Sequence, residues 1–334
     1  MTPGLGVDST SYLPAGHWSV SSTFRYYNSR QDVMGFQPLT HAIVYANTHV
    51  YAEDTAITYA ANRRLSVSLE IPVQYGTRET SIEHNPATGV LHTMRAFGVG
   101  NPRITANLNL FDPKRTPDRN VTLGLGVDIP IGQDNLKDTS YRADGNVQRP
   151  VDPAIQPADG GWGILLTTHA FTNLFFPKLP ETKFLQNTYL YLDAAYLVTP
   201  AETSSTEAVS GDIPGTPASV RYNSLPDQFL IRIGLTQTVW PKIGLSASAG
   251  VRFEGVPKHD VIGDSSGFRL AGNSLSFEPS LTFTRDRQSF SVSVPVAFQR
   301  YGSNSVGLER AGHGGTGFDA IADWQLILSY TRQF

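Results

Sequence analysis

The chain has 334 residues, of which 40% are hydrophobic and 16% charged, with a formal net charge of -3. Average proteins carry roughly 25% charged residues. This chain is therefore poor in charge, and its near-neutral balance argues against a nucleic-acid partner. It contains no cysteine, which excludes a disulfide framework and a thiolate metal site. No run approaches the ~18 consecutive apolar residues of a membrane-spanning helix, which excludes a helical membrane protein.

The first ten residues, MTPGLGVDST, lack the basic and apolar regions of a signal peptide. The sequence alone leaves two expectations open, a cytoplasmic protein or a mature chain without its signal peptide. The strand pattern favours the second.

Apolar residues alternate with polar or small ones along most of the chain. Val121, Leu123 and Leu125 share one parity, for example, while Gly124 and Gly126 take the other. This period of two predicts antiparallel strands with one apolar face. It recurs in twelve segments, near 17–28, 43–60, 64–77, 99–111, 120–131, 161–176, 187–199, 227–239, 243–255, 274–284, 288–301 and 320–334. Only the second loses phase, at residues 52–55, which predicts a β-bulge.

Connection lengths alternate as well. Connections after even-numbered strands are short, whereas those after odd-numbered strands are long and rich in Gly, Asp, Ser and Pro, at about 29–42, 78–98, 132–160, 200–226, 256–273 and 302–319. Short turns on one rim and long loops on the other are typical of a bacterial outer-membrane barrel. We therefore predict an all-β fold: a transmembrane antiparallel up-and-down β-barrel of about 12 strands over residues 17–334, with short periplasmic turns and long extracellular loops. Residues 1–16 form a short periplasmic segment.

The two faces of the strands differ in charge. Eleven regular strands carry three charged residues on their apolar parity, Asp227, Arg300 and Arg332, all near strand ends. A soluble β-protein would place that face inside; a membrane barrel turns it towards lipid and its polar face towards a lumen. The charged residues predicted to line the lumen and any solute path are Arg25, Arg64, Glu70, Arg103, Asp128, His169, Asp193, Arg232, Arg252, Glu254, Glu278 and Asp323.

Aromatic residues on the apolar parity fall at two heights, as expected for girdles at the two membrane surfaces. Those near the long loops are Tyr26, Tyr75, Trp162, Tyr196, Phe229, Phe253, Phe277, Phe298 and Trp324; those near the short turns are Trp18, Phe176, Phe283, Phe290 and Phe334. The last strand alternates up to Phe334 and resembles the C-terminal assembly signal of outer-membrane proteins, although Arg332 departs from it. Expected partners are outer-membrane lipids, a small-molecule solute and the barrel-assembly machinery.

The stretches GVGNPRITANLNLFD and NVTLGLGVDIPIGQDN resemble the family of outer-membrane proteins assigned to the meta pathway of phenol degradation. The matching positions include Gly98 and Gly100, then the run from Leu123 to Val127 and Pro130 to Gly132. ITYAANRRLSVSLEIPVQYG is similar to that family's second hairpin, so the resemblance covers mainly residues 43–132. It implies a transporter-like barrel for aromatic or other sparingly soluble compounds and supplies no catalytic motif.

Three prolines, Pro72, Pro130 and Pro295, lie on the lumen parity in the outer half of outward-running strands. Proline cannot donate to a strand ladder. One hypothesis is that these residues relax the wall near the outer rim, bending strands inward or opening a lateral gap. The alternative is that they only end the regular strand before a loop.

Twelve strands enclose more space than the eight of a side-chain-filled barrel and less than the sixteen of an open porin. Many serines and glycines on the lumen parity favour free space, and mixed lumen charges favour no ion. We predict passive passage of small solutes, with loops 132–160 and 200–226 as a constriction or lid. The alternative is a closed structural or interaction barrel that acts through its extracellular loops.

Enzymatic activity requires a catalytic constellation, and none is predicted. His169 faces the lumen beside Asp193 of the next strand, a pair that is more often structural than catalytic. No regular strand places a histidine on its apolar face, as an outer-membrane phospholipase would need. No cofactor and no metal site is expected.

Overall fold

The computed structural model describes residues 12–30, 32–38, 46–80, 90–142, 145–175, 185–208, 216–312 and 318–334. Alternating sequence segments form twelve barrel strands: β1 Trp18–Ser29, β2 Ala46–Ala60, β3 Leu65–Thr80, β4 His92–Val99 with Arg103–Asn109, β5 Arg119–Asp128, β6 Gly163–Asn173, β7 Thr188–Val198, β8 Gln228–Trp240, β9 Leu245–Val256, β10 Ala271–Arg285, β11 Gln288–Ser293 with Val296–Ser303, and β12 Trp324–Gln333. The predicted twelve strands are confirmed.

The outer loops add short elements of their own. They comprise strands Val33–Met34, Gln37–Pro38, Lys137–Arg142, Gly145–Pro150, Thr203–Glu207, Tyr222–Ser224 and Phe318–Asp319, the 3₁₀ turn Ala218–Val220, and helix α1, Val306–Arg310. A second 3₁₀ turn, Pro241–Ile243, lies in the short connection between β8 and β9. No helix in the described ranges is long and apolar enough to cross a membrane.

Each barrel strand pairs antiparallel with the next strand along the chain, and β1 closes the barrel on β12. The closing register runs from Ser19 opposite Gln333 to Asn28 opposite Trp324. Closure leaves no free sheet edge, the condition for a sheet to lie in hydrocarbon. The fold is thus the predicted up-and-down barrel.

Burial follows the alternation. Outward residues such as Leu125 (60% exposed) stay accessible, whereas inward residues such as Asp128 (2%) and Glu278 (2%) are covered. An apolar exterior around a polar, charged interior is the inverse of a soluble barrel and matches a membrane-spanning one. Tyr51 joins two residues of the predicted outer girdle, with ring centroids 5.0 Å from Tyr26 and 6.1 Å from Tyr75. Phe176 lies outside the described residues.

The predicted bulge in β2 is wrong. The strand keeps one continuous register with both β1 and β3, from Ala46 to Ala60 on the β3 side. The alternation loses phase because Glu53 and Thr55 are polar residues on the outward, lipid-side parity. Glu53 lies opposite Phe24 of β1 and Val73 of β3.

Arg300 was predicted on the lipid face, and this is also wrong. The register between β10 and β11 shifts between Leu275 and Ser276. Leu275 lies opposite Gln299 and Ser276 opposite Ala297, so Phe298 is an extra residue on β11. A bulge of this kind reverses the parity beyond it. Arg300 therefore lies opposite inward-facing Ser274, and its guanidinium reaches Asp323 over 2.5 Å.

Candidate functional site: the barrel lumen

The inner half of the lumen is hollow. A cavity of about 660 Å³, here called the inner cavity, extends from the turn residues Asp286 and Arg287 up to Arg232 and Arg252. A smaller cavity of about 180 Å³ lies beside it, and both touch His169 and Tyr12 of the N-terminal segment. Serines predicted to leave free space, including Ser248, Ser291 and Ser293, line the inner cavity.

Charged side chains line the middle of the lumen and pair along the wall. Arg103 of β4 bonds Asp128 of β5 over 2.8 Å and Glu70 of β3 over 3.2 Å. Arg25 of β1 reaches Asp54 of β2 over 2.7 Å. All of these partners lie on neighbouring strands.

The opposite side of the lumen also pairs its charges, here within one strand and across an intervening strand. Arg232 of β8 lies 3.3 Å from Asp193 of β7 and 2.8 Å from Glu278 of β10. Arg252 of β9 bonds Glu254 over 2.7 Å and approaches Glu278 to 3.7 Å. His169 completes the chain through its Nδ1 to Asp193. These charged side chains are buried or partly buried and form one connected layer at mid-height.

The outer half is filled by the loop between β5 and β6. Residues 151–161, here called the inward segment, enter the lumen after the hairpin formed by Lys137–Arg142 and Gly145–Pro150. Val151 and Ile155 are completely buried and belong to one apolar cluster, whose wall and loop members are Tyr27, Val50, Met94 and Ala96. Loop 132–160, predicted as a constriction, thus supplies a buried core to the lumen.

Glycines in the wall make room for the inward segment. A Cβ placed on Gly76 of β3 would lie 2.6 Å from the Cβ of Ile155. One on Gly100, at the break in β4, would lie 2.8 Å from the carbonyl oxygen of Pro157. Both distances are too short for a real side chain, so only glycine permits this approach.

Polar contacts fix the inward segment at both ends. Arg78 of β3 lies 3.8 Å from Asp152, and the Gln74 amide donates to the carbonyl of Ile155 over 3.2 Å. At the far end, the Asn101 amide donates to Asp159 over 3.1 Å. Desolvation and, second, the charge of nearby Asp128 raise the pKa of the Asp159 carboxyl to about 6.

The loop between β7 and β8 supports the inward segment from above. A Cβ on Gly161 would lie 3.0 Å from the side chain of Leu225. Ser224 accepts two hydrogen bonds from Arg269, which also bonds Asp260 over 2.7 Å. Residues 209–215, in the middle of the predicted lid 200–226, lie outside the described residues.

The strand ladder is incomplete beside all three prolines on the lumen parity. Opposite Pro72, β4 is interrupted at residues 100–102; β5 ends at Asp128, before Pro130; and β11 is interrupted at residues 294–295, at Pro295. On its other side Pro72 keeps its register with Asp54. Single backbone bonds still bridge these breaks, for example from the Gly100 amide to Pro72 and from the Gln325 amide to Pro295, each over 2.9 Å. The gap hypothesis therefore stays a prediction.

Residues 129–133 cross the largest of these breaks. The amide of Ile129 donates to Pro102 and that of Gln133 to Val99, each over 2.9 Å. Between them, Gly132 is held by a 3.2 Å bond from its amide to the Asn101 side chain. Only these few bonds therefore join the wall at this break, directly beside the inward segment.

Two of the predicted lumen residues lie at the rims. Arg64 is exposed at the inner mouth, where it donates to the carbonyls of Asn109 and Leu110 over 2.8 Å. Asp323 lies at the outer end, where it pairs with Arg300 and accepts the amide of Arg30 over 2.9 Å. The other ten line the lumen interior as described.

The sequence pattern missed one outward histidine, because it lies on β2, whose faces were left unassigned. His49 Nδ1 lies 2.9 Å from the Tyr26 hydroxyl and 3.3 Å from the Asn28 amide. Both partners hold the ring at the outer aromatic girdle, where its described contacts are structural.

No protein-family model and no curated protein sequence matches the chain. Among solved structures, an outer membrane channel from Pseudomonas putida F1 is similar over 98% of this chain and 100% of its own, at 13% identity and a TM-score of 0.59. A Pseudomonas aeruginosa FadL homologue aligns over 96% of this chain and 90% of its own, at 9% identity and a TM-score of 0.44. The P. putida toluene transporter TodX aligns over 97% of this chain and 91% of its own, at 10% identity and a TM-score of 0.43. The first likeness shows that the chain shares an overall fold with an outer-membrane barrel.

Proposed function

We propose that this barrel is an outer-membrane channel for passive passage of small solutes, gated by the inward segment. The observation that carries the proposal is the contrast within one lumen, an inner cavity of about 660 Å³ below a loop-filled outer half. A purely structural barrel has no need of a solute-sized cavity, which falls within the 300–1,000 Å³ typical of ligand sites.

The gate is supported by how the outer half is closed. Its plug belongs to a loop and is held by the apolar contacts of Val151 and Ile155 and by polar contacts of Gln74, Arg78 and Asn101. Loops of this kind open on microsecond to millisecond timescales. The mixed, locally paired charges below favour no single ion. The resemblance to a phenol-degradation family suggests aromatic or sparingly soluble compounds as solutes.

The test is single-channel conductance of the refolded protein in a planar bilayer, with the gate locked by a disulfide. The chain has no native cysteine, so the pair Gly76→Cys and Ile155→Cys reports on this contact alone. A disulfide needs Cβ atoms about 3.8 Å apart, so the segment shifts slightly outward from its 2.6 Å approach. We expect intermittent openings in the wild-type and reduced proteins and none in the oxidised one.

The closed-lumen alternative is favoured by the buried apolar cluster in the outer half. Silence of the wild-type and reduced proteins, with folding confirmed by heat-modifiable migration, would support that alternative. Equal currents in the oxidised and reduced proteins would instead remove the inward segment as the gate. Each single-cysteine variant serves as a control for the substitutions themselves.

A further inference from the structure

The inner cavity has one aromatic wall. Phe171 of β6 and Tyr189 and Tyr191 of β7 face the lumen side by side and line the cavity. The rings of Phe171 and Tyr189 meet edge to face with centroids 6.2 Å apart. Tyr191 packs under the guanidinium of Arg232, 5.8 Å from its ring centroid. Together these residues present ring faces and edges on which a flat ring can stack.

Glycines hold this wall in place. A Cβ on Gly234 or Gly250 would lie within 2.6 Å of the Tyr191 hydroxyl. The lumen glycines at these two positions therefore accommodate Tyr191, which runs across β8 and β9, and do not simply leave free space. The aromatic wall is built into the barrel and does not depend on a loop.

The facing wall is made of hydroxyl groups, many of which already bond one another. Ser248 and Ser280 lie 2.5 Å apart, and Thr23 donates to Ser329 over 3.0 Å. Ser293 donates to Glu278 over 2.8 Å. Such a wall offers exchangeable polar contacts along its length.

Two polar atoms at the cavity have no hydrogen-bond partner among the described residues. One is the Nε of Arg252, whose side chain is 6% exposed, and the other is the hydroxyl of Tyr12. Both atoms are themselves covered by protein, so a ligand in the cavity does not reach them. Arg252 lies opposite Arg232, beside the aromatic wall.

The lining also argues against a charged ligand. Arg25, Arg232 and Arg252 are each paired with a carboxylate. An ionic ligand would have to displace one of these partners, and breaking a buried pair is strongly unfavourable. An uncharged molecule leaves all three pairs intact.

We propose that the inner cavity binds an uncharged ring compound bearing hydroxyl groups, its face stacked on Phe171 and Tyr189 and its hydroxyl groups bonding the serines and threonines of the lining. This deepens the proposed function by naming a solute class. The chemistry is shared by phenolic rings and by sugars in their pyranose form. The site lies below the gate, and a solute bound there leaves the barrel past Tyr12.

Equilibrium dialysis of the refolded, detergent-solubilised protein tests the site without a membrane. The probes are resorcinol, methyl β-glucoside and benzene, each against wild type and Tyr189→Ala. We expect saturable binding of resorcinol or of the glucoside, weakened about tenfold by the loss of the ring. Tyr59→Ala, at a ring on the lipid face 4.5 Å from Trp18, is the matched control and should leave binding unchanged.

The two hydroxylated probes distinguish a phenolic from a sugar-like solute, and binding of either supports the site. The proposal is overturned if neither binds saturably, if Tyr189→Ala binds as tightly as wild type, or if benzene binds as well as both hydroxylated probes. Because dialysis needs no gating, a silent channel that still binds refutes the proposed function alone. A conducting channel without binding refutes only this inference.

Discussion

The two halves of the lumen share one wall but differ in what fills them. In the inner half, serines and threonines of β9 to β12 face a hollow space of about 660 Å³. In the outer half, the same barrel encloses an apolar cluster built around Val151 and Ile155, which are fully buried. The difference comes from a loop that folds inward, since strand number and closure are common to both halves.

On the proposed channel function, this contrast places the control of conductance in the outer half. Ion pairs at mid-height, such as those of Arg103 and Arg232, join side chains of neighbouring or next-neighbouring wall strands. The outer half is closed by residues that belong to a connection and are held by side-chain contacts. A loop can leave this position without breaking the strand ladder, whereas the wall charges cannot move independently of it. We therefore expect substitutions of wall residues that contact the inward segment to change conductance more than substitutions of the charged residues.

The largest effect is expected from a substitution that fills the space in the wall where the inward segment packs. Gly76→Leu places a side chain where Ile155 lies, because even a Cβ there would approach Ile155 to 2.6 Å. The strand tolerates leucine, so the loop has to move. Ion conductance should rise by about tenfold or more as the outer half changes from packed side chains to a water-filled passage.

The control for this substitution is Gly124→Leu. A Cβ on Gly124 would meet wall side chains of Asn107 and Thr167, with no part of the inward segment among its nearest contacts. This variant should leave the gate in place. If Gly76→Leu folds and conducts no better than wild type, the outer half is closed by something other than the inward segment.

The sequence was sufficient to predict the twelve strands, their order and most of their faces, because lipid imposes alternation on every strand. It failed where that rule is broken locally. β2 is regular, but Glu53 faces outward and imitates a change of phase. At Phe298 the strand does contain a bulge, but the alternation of apolar and polar residues gives no sign of it. The side on which Arg300 lies was therefore predicted wrongly.

The filling of the lumen could not be predicted in the same way. Apolar residues in a long loop, such as Val151 and Ile155, are equally consistent with a loop strand or a surface turn. The available signal was in the wall, where Gly76, Gly98 and Gly100 lie on the lumen parity of adjoining strands. The glycines were read as a family resemblance, and their physical role becomes clear only when Ile155 and Pro157 are seen against them.

A smaller effect is expected from pH. The pKa of Asp159 in the docked segment is raised to about 6, above the ~3.9 of a free carboxyl. The docked state therefore binds more protons between these values, and its stability falls as pH rises through them. Below pH 6 the neutral carboxyl no longer repels Asp128, so the segment docks more firmly. Open probability should rise roughly twofold to fivefold from pH 5 to pH 7, limited by partial solvent exposure of the carboxyl.

Asp159→Asn separates this group from the other carboxylates. The amide stays neutral at every pH, so the variant should show the low open probability of wild type at pH 5 and no step near pH 6. A step of unchanged size in the variant would assign the pH response to another group. Recordings at both pH values in one bilayer provide the comparison.

The outer half also departs from the barrel rule on its lipid face, and this gives the smallest effect. Glu53 lies two residues from Tyr51, ~7 Å along the strand below the outer girdle, and its carboxylate accepts the Ser22 hydroxyl. An acidic group this close to the interface costs at most about 1 kcal/mol. Glu53→Leu should therefore raise the free energy of unfolding in vesicles by about 0.5–1 kcal/mol, and Glu53→Gln, which keeps the shape and the Ser22 contact, by less. A loss of stability in both variants would mean that the Glu53 carboxylate stabilises the barrel. The outer half would then tolerate this charge on its lipid face because a cationic group in the outer leaflet pairs with it.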